Sequence, residues 1–401
     1  MNATLLAPES VAVLDGVCPE PAPQQENHPP LSRAPGPGLV RRIGRGIASA
    51  CEWLFGAVTL VVGLAVLAAV PVAQLLSFGY LLEAGGRVAR TGRLRDGWIG
   101  VRRAARVGGL VLGCWLMLLP VRLVASLATS AQLIDPGGPI ARRWAAGLNV
   151  LTALMVLHIA TACARGGRLR HFLWPFTNPV WLVPRLRRGG LYASSRDAVW
   201  DYVVALRLPY YLRLGLLGFV GTMAWLAVPV TLLALGQRTP LAGVLGALLL
   251  GFVVPSLPFL QVRFAAEGRF AALFEHRAVR DRFRRAPWAF ACAFVVTLTA
   301  AVPLYLLKIE MIPRETVWLP SLVFVAFLFP ARLLAGWAYA RSGRRERPRH
   351  WFFRGTGRLG MLPVAAFYVL IVFLSQFTAW WGAWSLYEQH AFLLPVPFLS
   401  S

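Results

Sequence analysis

Arg122 stands two residues after Pro120 inside a long apolar run, where an ionised side chain is conspicuous. A guanidinium held within a bilayer costs a few kcal/mol. It therefore needs an acceptor, either a backbone carbonyl loosened by the proline or an anion that the protein holds or passes. His158 in "LMVLHIATA" and Arg332 in "FPARLLAG" complete the candidate intramembrane polar site. His158 has the chemistry of a proton carrier or of a hydrogen bond between helices. Arg332 is near enough to the end of its run for its charge to snorkel to the interface. No carboxylate falls at the middle of a run: Glu83, Glu267 and Glu310 sit at run ends. Coupled transport on proton or sodium normally needs such a group. There is no G-x-S-x-G, no H-E-x-x-H and no carboxylate pair beside a histidine, so no catalytic residue is assigned. Cys18, Cys51, Cys114, Cys163 and Cys292 show no C-x-x-C spacing, and neither a metal nor a cofactor is expected.

Anion binding is the other chemistry the residue types allow. "GYLLEAGGRVARTGRLRDG" from Gly79 leaves an apolar run and supplies Arg87, Arg90 and Arg93. "RGGRLRHFLW" adds Arg168, Arg170 and His171, and "RPRHWFF" adds Arg349 and His350. Anionic headgroups attract such side chains by about 1 kcal/mol each, so these residues form a candidate lipid-headgroup rim. Gly79, Gly85 and Gly86 read as a hinge that turns the chain toward the membrane plane. No phosphate-loop motif accompanies them.

The elements that carry these residues must be membrane helices. Of 401 residues 57% are hydrophobic and 14% charged, with mean hydropathy +0.59. A soluble domain carries about 25% charged residues. Apolar runs near 53–75, 108–130, 145–164, 209–235, 242–262, 288–307, 318–338 and 361–385 are each about long enough to span. No alternating strand pattern suggests a barrel. The class is all-α, a polytopic integral membrane helical bundle of about eight transmembrane segments. All basic residues but Lys308 are arginine, and the segments 81–106, 165–208, 263–286 and 339–358 hold 29 of them. The connections between hold 5. That alternation is the positive-inside pattern and places the four rich segments in the cytoplasm of a bacterial cell, with the chain in its inner membrane. The +24 net charge then points to anionic lipid and not to nucleic acid. Arg33, Arg41, Arg42 and Arg45 resist this count, because a spanning 53–75 would put them outside. A re-entrant hairpin broken at Pro71 is the alternative.

The chain also repeats itself. "PVAQLLSFGYLLEAGGRV" from Pro71 parallels "PSLPFLQVRFAAEGRF" from Pro255, with Tyr80 against Phe264 and Glu83 against Glu267. "RRAARVGGLVLGCWLMLLP" and "RRAPWAFACAFVVTLTAAVP" end on Pro120 and Pro303, and "ACARGGRLRHFLW" faces "AYARSGRRERPRHWFF". Two duplicated four-segment halves follow, 48–236 and 237–390, between a proline-rich 1–47 tail expected to be disordered and a short 391–401 tail. With even span numbers the halves are related by an axis along the membrane normal. The insert "LYASSRDAVWDYVVALRL" reads as a surface helix with a capping box from Ser194 to Asp197. Gly109 with Gly113, and Gly215 with Gly218 and Gly221, read as close helix contacts, within the chain or between copies.

The Gly-Tyr-Leu-Leu element, its arginine-rich exit and "RFAAEGRFAALFEHRAVRDRFRRAP" resemble an uncharacterised family of bacterial and archaeal multi-pass membrane proteins, a domain of unknown function. The likeness covers about residues 50–310, and the proline-rich head and last apolar segments depart from it. It implies a multi-pass fold and no activity. The functional expectation is a non-enzymatic membrane scaffold or partner protein whose arginine face grips anionic lipid, possible partners being another protein or a second copy. A passive carrier or flippase for a lipid or small anion, with Arg122 in its path, is the alternative. A lipid-modifying enzyme stands third.

Overall fold

A computed structural model describes residues 39–174, 176–307, 318–378 and 385–388. The proline-rich head to residue 38, the connection 308–317 with Glu310, and the 391–401 tail lie outside them. The chain divides after Ala48, and of the first unit only the opening turns of the first helix are described. The first half contains α1 (Leu39–Ala69), α2 (Ala73–Thr91), α3 (Val101–Ile134) and α4 (Pro139–Ala164). Then come the short α5 (Leu169–Leu173), α6 (Thr177–Arg188), α7 (Leu191–Ala205) and α8 (Leu208–Leu235). The second half holds α9 (Pro240–Val253), α10 (Leu257–Glu267), α11 (His276–Arg285) and α12 (Pro287–Leu307). α13 (Trp318–Gly343), α14 (Trp351–Thr378) and α15 (Ser385–Glu388) complete it. No strand occurs among the described residues.

Among the described residues six helices are long and apolar enough to cross a membrane, and two bent pairs, α9 with α10 and α11 with α12, raise the number to as many as eight. Large apolar side chains stand exposed along α1, α3, α4, α8, α9 and α14, for example Val111, Leu123, Val156, Leu248 and Phe367. Contiguous exposed apolar surface on this scale suits hydrocarbon and not water. The protein is an all-α, polytopic membrane protein.

α2 sits at the centre, and its glycines explain how. Gly79 lies against the Tyr211 carbonyl and Gly215 of α8, Gly85 against Arg332 and Gly336 of α13, and Gly86 against Ala265 of α10. A Cβ at Gly79 or Gly86 would overlap backbone. The expected hinge is thus absent: these glycines lie inside a continuous helix, and their lack of a side chain lets three neighbours approach. Gly218 and Gly221 of α8 likewise receive Leu82 and Leu273. Gly113 receives Phe172 of α5, so the G-x-x-x-G of α3 packs within the chain.

The run 53–75 does not form one straight segment. α1 ends at Ala69, the chain turns through Pro71 and Val72, and α2 leads back. Trp98, beyond the end of α2, meets Trp53 with ring centroids 5.3 Å apart. Val72 adopts φ 67°, strained for a β-branched residue. Gly56 packs on Val101 and Gly108 on Thr59, so α1 beyond Ser49 and α3 run side by side in the same direction.

α2 and α10 end alike. Gly92 and Gly268 take φ 71° and 69°, and each amide donates four residues back, to Val88 and Phe264. Extended Arg93 and Arg269 then lead into 3₁₀ turns, Leu94–Gly97 and Phe270–Leu273. The conformational match is therefore Gly92-Arg93-Leu94 with Gly268-Arg269-Phe270, six residues later than the sequence match at Gly86-Arg87-Val88. The halves differ elsewhere. α9 and α10 meet at 44°, where α1 and α2 reverse direction. α13 is largely buried while α4 is largely exposed. One hydrophobic cluster joins Phe78, Leu82 and Leu226 to Phe259, Phe290 and Tyr368, so the core crosses the boundary at 236/237.

α7 starts at Leu191, capped by Gly190 at φ 73°, so Ser194 lies inside the helix and the expected capping box is not formed. Tyr192–Leu235 counts as one 44-residue candidate span, although α7 and α8 are separate helices on either side of Arg207.

Candidate functional site

The expected intramembrane set is not assembled. Arg122 is exposed on α3 and has no hydrogen bond or ion pair among the described residues. Pro120 lies within α3, yet Arg122 bonds no carbonyl freed there. His158 is buried near the end of α4, its Nε2 2.9 Å from the Phe172 carbonyl and its Nδ1 3.4 Å from Asn178 Nδ2. Asn178 also donates to the His171 carbonyl at 2.9 Å. His158 therefore pins α5 and the start of α6 to α4, a structural part. Arg332 does not snorkel. It is 2% exposed, donates to Gln261 Oε1, and lies 5.6 Å from the centre of the Phe78 ring. Gln261 donates on to Thr222 Oγ1 at 2.7 Å. No carboxylate pairs with Arg332 among the described residues, and its Nε has no partner there.

The rim residues have separate roles. Arg90 pairs with Glu83 at 2.5 Å and donates to the Ala265 carbonyl at 2.9 Å, clamping α2 to α10. Arg93, Arg168 and Arg170 are exposed. His171 is buried, with Arg170 Nε 3.4 Å from its Nε2. Its burial lowers its pKa from the ordinary 6.5, and the Arg165, Arg170 and Arg168 charges lower it further. Arg349 lies over Phe353, 5.3 Å from the ring centre, and exposed His350 accepts from the Phe352 amide at 3.4 Å. Contacts join all four arginine-rich segments. Arg103 donates to the Ala205 carbonyl, Arg90 to that of Ala265, and the Arg349 amide to Arg284 at 2.8 Å. The Arg344 guanidinium fills the space a Cβ at Gly92 would take.

Arg87 of the expected rim lines a concavity. A cleft of about 690 Å³ is lined by Arg87 and Glu83 of α2, Arg102 and Arg103 of α3, and Arg207 before α8. Trp53, Trp98, Tyr210 and Tyr211 supply aromatic walls. These rings are braced: Tyr211 lies 5.5 Å from Tyr210 and 5.7 Å from Tyr80, and Trp98 stands edge-on to Phe329 at 4.5 Å. Tyr80 donates to the Ile99 carbonyl at 2.9 Å, fixing the turn before α3. Glu83 is already satisfied, taking Arg90 on one oxygen and the Tyr210 hydroxyl on the other at 2.7 Å. Arg87, Arg102 and Arg207 have no hydrogen bond or ion pair from their side chains among the described residues. Four guanidiniums face one neutralised carboxylate.

The second half shows the contrast. There Arg263 and Arg269 are answered by Glu267 and Glu275, with Arg263 Nε 2.8 Å from Glu267. Glu83, by contrast, pairs with none of the four arginines that line the cleft. Among the described residues no group of three His, Cys, Asp or Glu side chains could hold a metal. Set against family models, curated proteins and solved structures, the chain has no match, so what the cleft can do rests on its own geometry.

Sequence reasoning reached Arg87 and missed Arg102, Arg103, Arg207, Tyr210 and Tyr211 as its partners. About 120 residues separate Arg87 from Arg207, and no spacing rule connects them. Double arginines or a lone arginine at the start of a long apolar run were the available signal.

Proposed function

We propose that this protein is a non-enzymatic membrane scaffold whose arginine face grips anionic lipid headgroups. One observation carries the reading: the four segments holding 29 arginines touch one another at one end of the bundle. Carboxylates there are too few to neutralise them, and anionic headgroups are the counter-charges a bilayer supplies. By the positive-inside rule that end faces the cytoplasm, and the membrane is the inner membrane of a bacterium. The shared endings of α2 and α10 support descent from a duplicated unit, whose first copy later reversed at Pro71. Membership of the uncharacterised multi-pass family that residues 50–310 resemble is part of the proposal and adds no site.

A passive carrier is the weaker reading. It needs a polar route between the halves that reaches Arg122, and the cleft lining does not include that residue. The scaffold reading is tested by melting the purified protein in detergent with added lipid. Phosphatidylglycerol should raise the melting temperature more than phosphatidylcholine, and the gain should shrink with salt as the charges are screened. Equal shifts from both lipids would reject it.

A further inference from the structure

We propose that the cleft of Arg87, Arg102, Arg103 and Arg207 is a specific site for a phosphomonoester or diphosphate group. This inference rests on the lipid-gripping reading but makes a narrower claim, that one place on the arginine face selects by phosphate charge and shape.

Three features distinguish the cleft from the rest of the rim. First, free guanidiniums converge: Arg87, Arg102 and Arg207 make no ion pair among the described residues and line one concavity together with Arg103. Arginine forks bind phosphate oxygens two at a time, which an exposed single charge does not achieve. Secondly, the charge is more than a phosphodiester can balance. Four arginines against Glu83 leave three positive charges, and Glu83 is itself paired with Arg90 outside the lining. A phosphodiester brings one negative charge, whereas a phosphomonoester brings about 1.5 to 2 at neutral pH. Thirdly, backbone groups add to the field. α3 starts at Val101 behind Gly100, with no side-chain cap, and Gly100, Val101 and Arg102 all line the cleft. Its first amides are among those a helix leaves unbonded, and the helix dipole favours an anion there.

The local backbone is held for this arrangement. Arg207 takes φ 52°, one of two non-glycine residues with positive φ among the described residues. That conformation costs about 1 kcal/mol or more for a side chain with a Cβ. It turns the chain between α7 and α8 so that Arg207, Tyr210 and Tyr211 reach one cavity. Arg103 is anchored to the Ala205 carbonyl, and Tyr202 donates to the Arg103 carbonyl at 3.2 Å, tying that turn to α3. Trp53, exposed beside the cleft, and the apolar face of α1 beyond it offer a path for an acyl chain leaving the headgroup. A lipid carrying a terminal phosphate and a soluble diphosphate share the recognised chemistry.

The test uses the purified full chain, native mass spectrometry, and four probes: phosphatidic acid, phosphatidylglycerol, phosphatidylcholine and inorganic diphosphate. Phosphatidic acid should bind more tightly than phosphatidylglycerol. The combined R87Q, R102Q and R207Q variant should lose that preference by about tenfold or more, the scale of lost charge-assisted bonds. R168Q with R170Q should keep it. Diphosphate that competes with phosphatidic acid assigns the site to a soluble anion as well, and absence of competition assigns it to lipid alone. The arginine-to-lysine triple keeps charge and removes the forks, so it should retain phosphatidylglycerol binding and lose the preference. It decides the matter if the glutamine triple melts early. Equal binding of the two lipids in the wild type, or a preference that survives the lysine triple, would overturn the site. The scaffold reading stands apart: it survives that result if both lipids outbind phosphatidylcholine, and falls if neither does.

Discussion

Arg122 and Arg332 each follow a proline by two residues inside an apolar helix, yet their surroundings are opposite. Arg332 is enclosed and bonds Gln261, whereas Arg122 stands exposed without a partner among the described residues. Removing one partner of a buried polar pair strands the other at a cost of about 1–3 kcal/mol. Arg332→Leu should therefore lower the melting temperature in detergent by several degrees. Arg122→Leu breaks no bond and removes a charge from an apolar surface, so its melting temperature should stay level or rise. A large loss at Arg122 would mean that something absent from the described residues covers it. His171 adds a pH test. Its pKa is depressed in the folded protein by burial and by Arg165, Arg170 and Arg168. Above the ordinary value of 6.5 both folded and unfolded states are neutral there, and the stability is fully present. As the pH falls below it, the unfolded chain takes up a proton that the folded chain resists, and stability is lost. His171→Gln should reduce the fall in melting temperature between about pH 7.5 and 5.5. An unchanged fall would place the acid sensitivity elsewhere.

α2 shows where reading elements from sequence succeeds and where it stops. Apolar length alone located the spans, because only an unbroken helix satisfies its backbone in hydrocarbon. The glycines were visible too, but a glycine means a bend in one context and a contact in another. Gly79, Gly85 and Gly86 looked like a hinge beside arginines. In the fold each faces a different helix, and that depends on tertiary neighbours over 100 residues away in sequence. The cleft was half legible for the same reason: Arg87 was marked by its local run, while Arg207 and Tyr210 joined it only through the crossing of α2 and α8. Gly79→Ala tests the packing. Its Cβ would overlap the Tyr211 carbonyl, a backbone atom that cannot rotate away. Overpacking of this kind costs about 1–3 kcal/mol. Gly63→Ala, where the added methyl meets nothing within 4 Å, is the control and should be neutral or slightly stabilising by helix propensity. Equal effects at both positions would show that α2 and α8 do not cross there.

At the scale of the whole molecule, the reversal at Pro71 decides which end of the bundle the residues after Ser49 share with the turn before α3. With 53–75 as a crossing, Arg33, Arg41, Arg42 and Arg45 contradicted the segregation seen in every later loop. The Trp53–Trp98 contact brings the chain near Trp53 and the arginine-rich turn before α3 to the same end of the bundle. α2 thereby becomes an inward-facing element paired with α10, and its charged end, Glu83 with Arg90, needs no hydrocarbon exposure. The prediction is one of sidedness. In a cysteine-free background, single cysteines replace Ser49, Arg238, His276 and His350. A membrane-impermeant thiol reagent applied to intact cells should label position 238, in the short arginine-poor connection between α8 and α9. Positions 49, 276 and 350 should react only after permeabilisation. Outside labelling at 276 or 350 would sink the single arginine face and the lipid-gripping reading with it. Outside labelling at 49 alone would sink the hairpin, separate Trp53 from Trp98, and open the aromatic wall of the cleft.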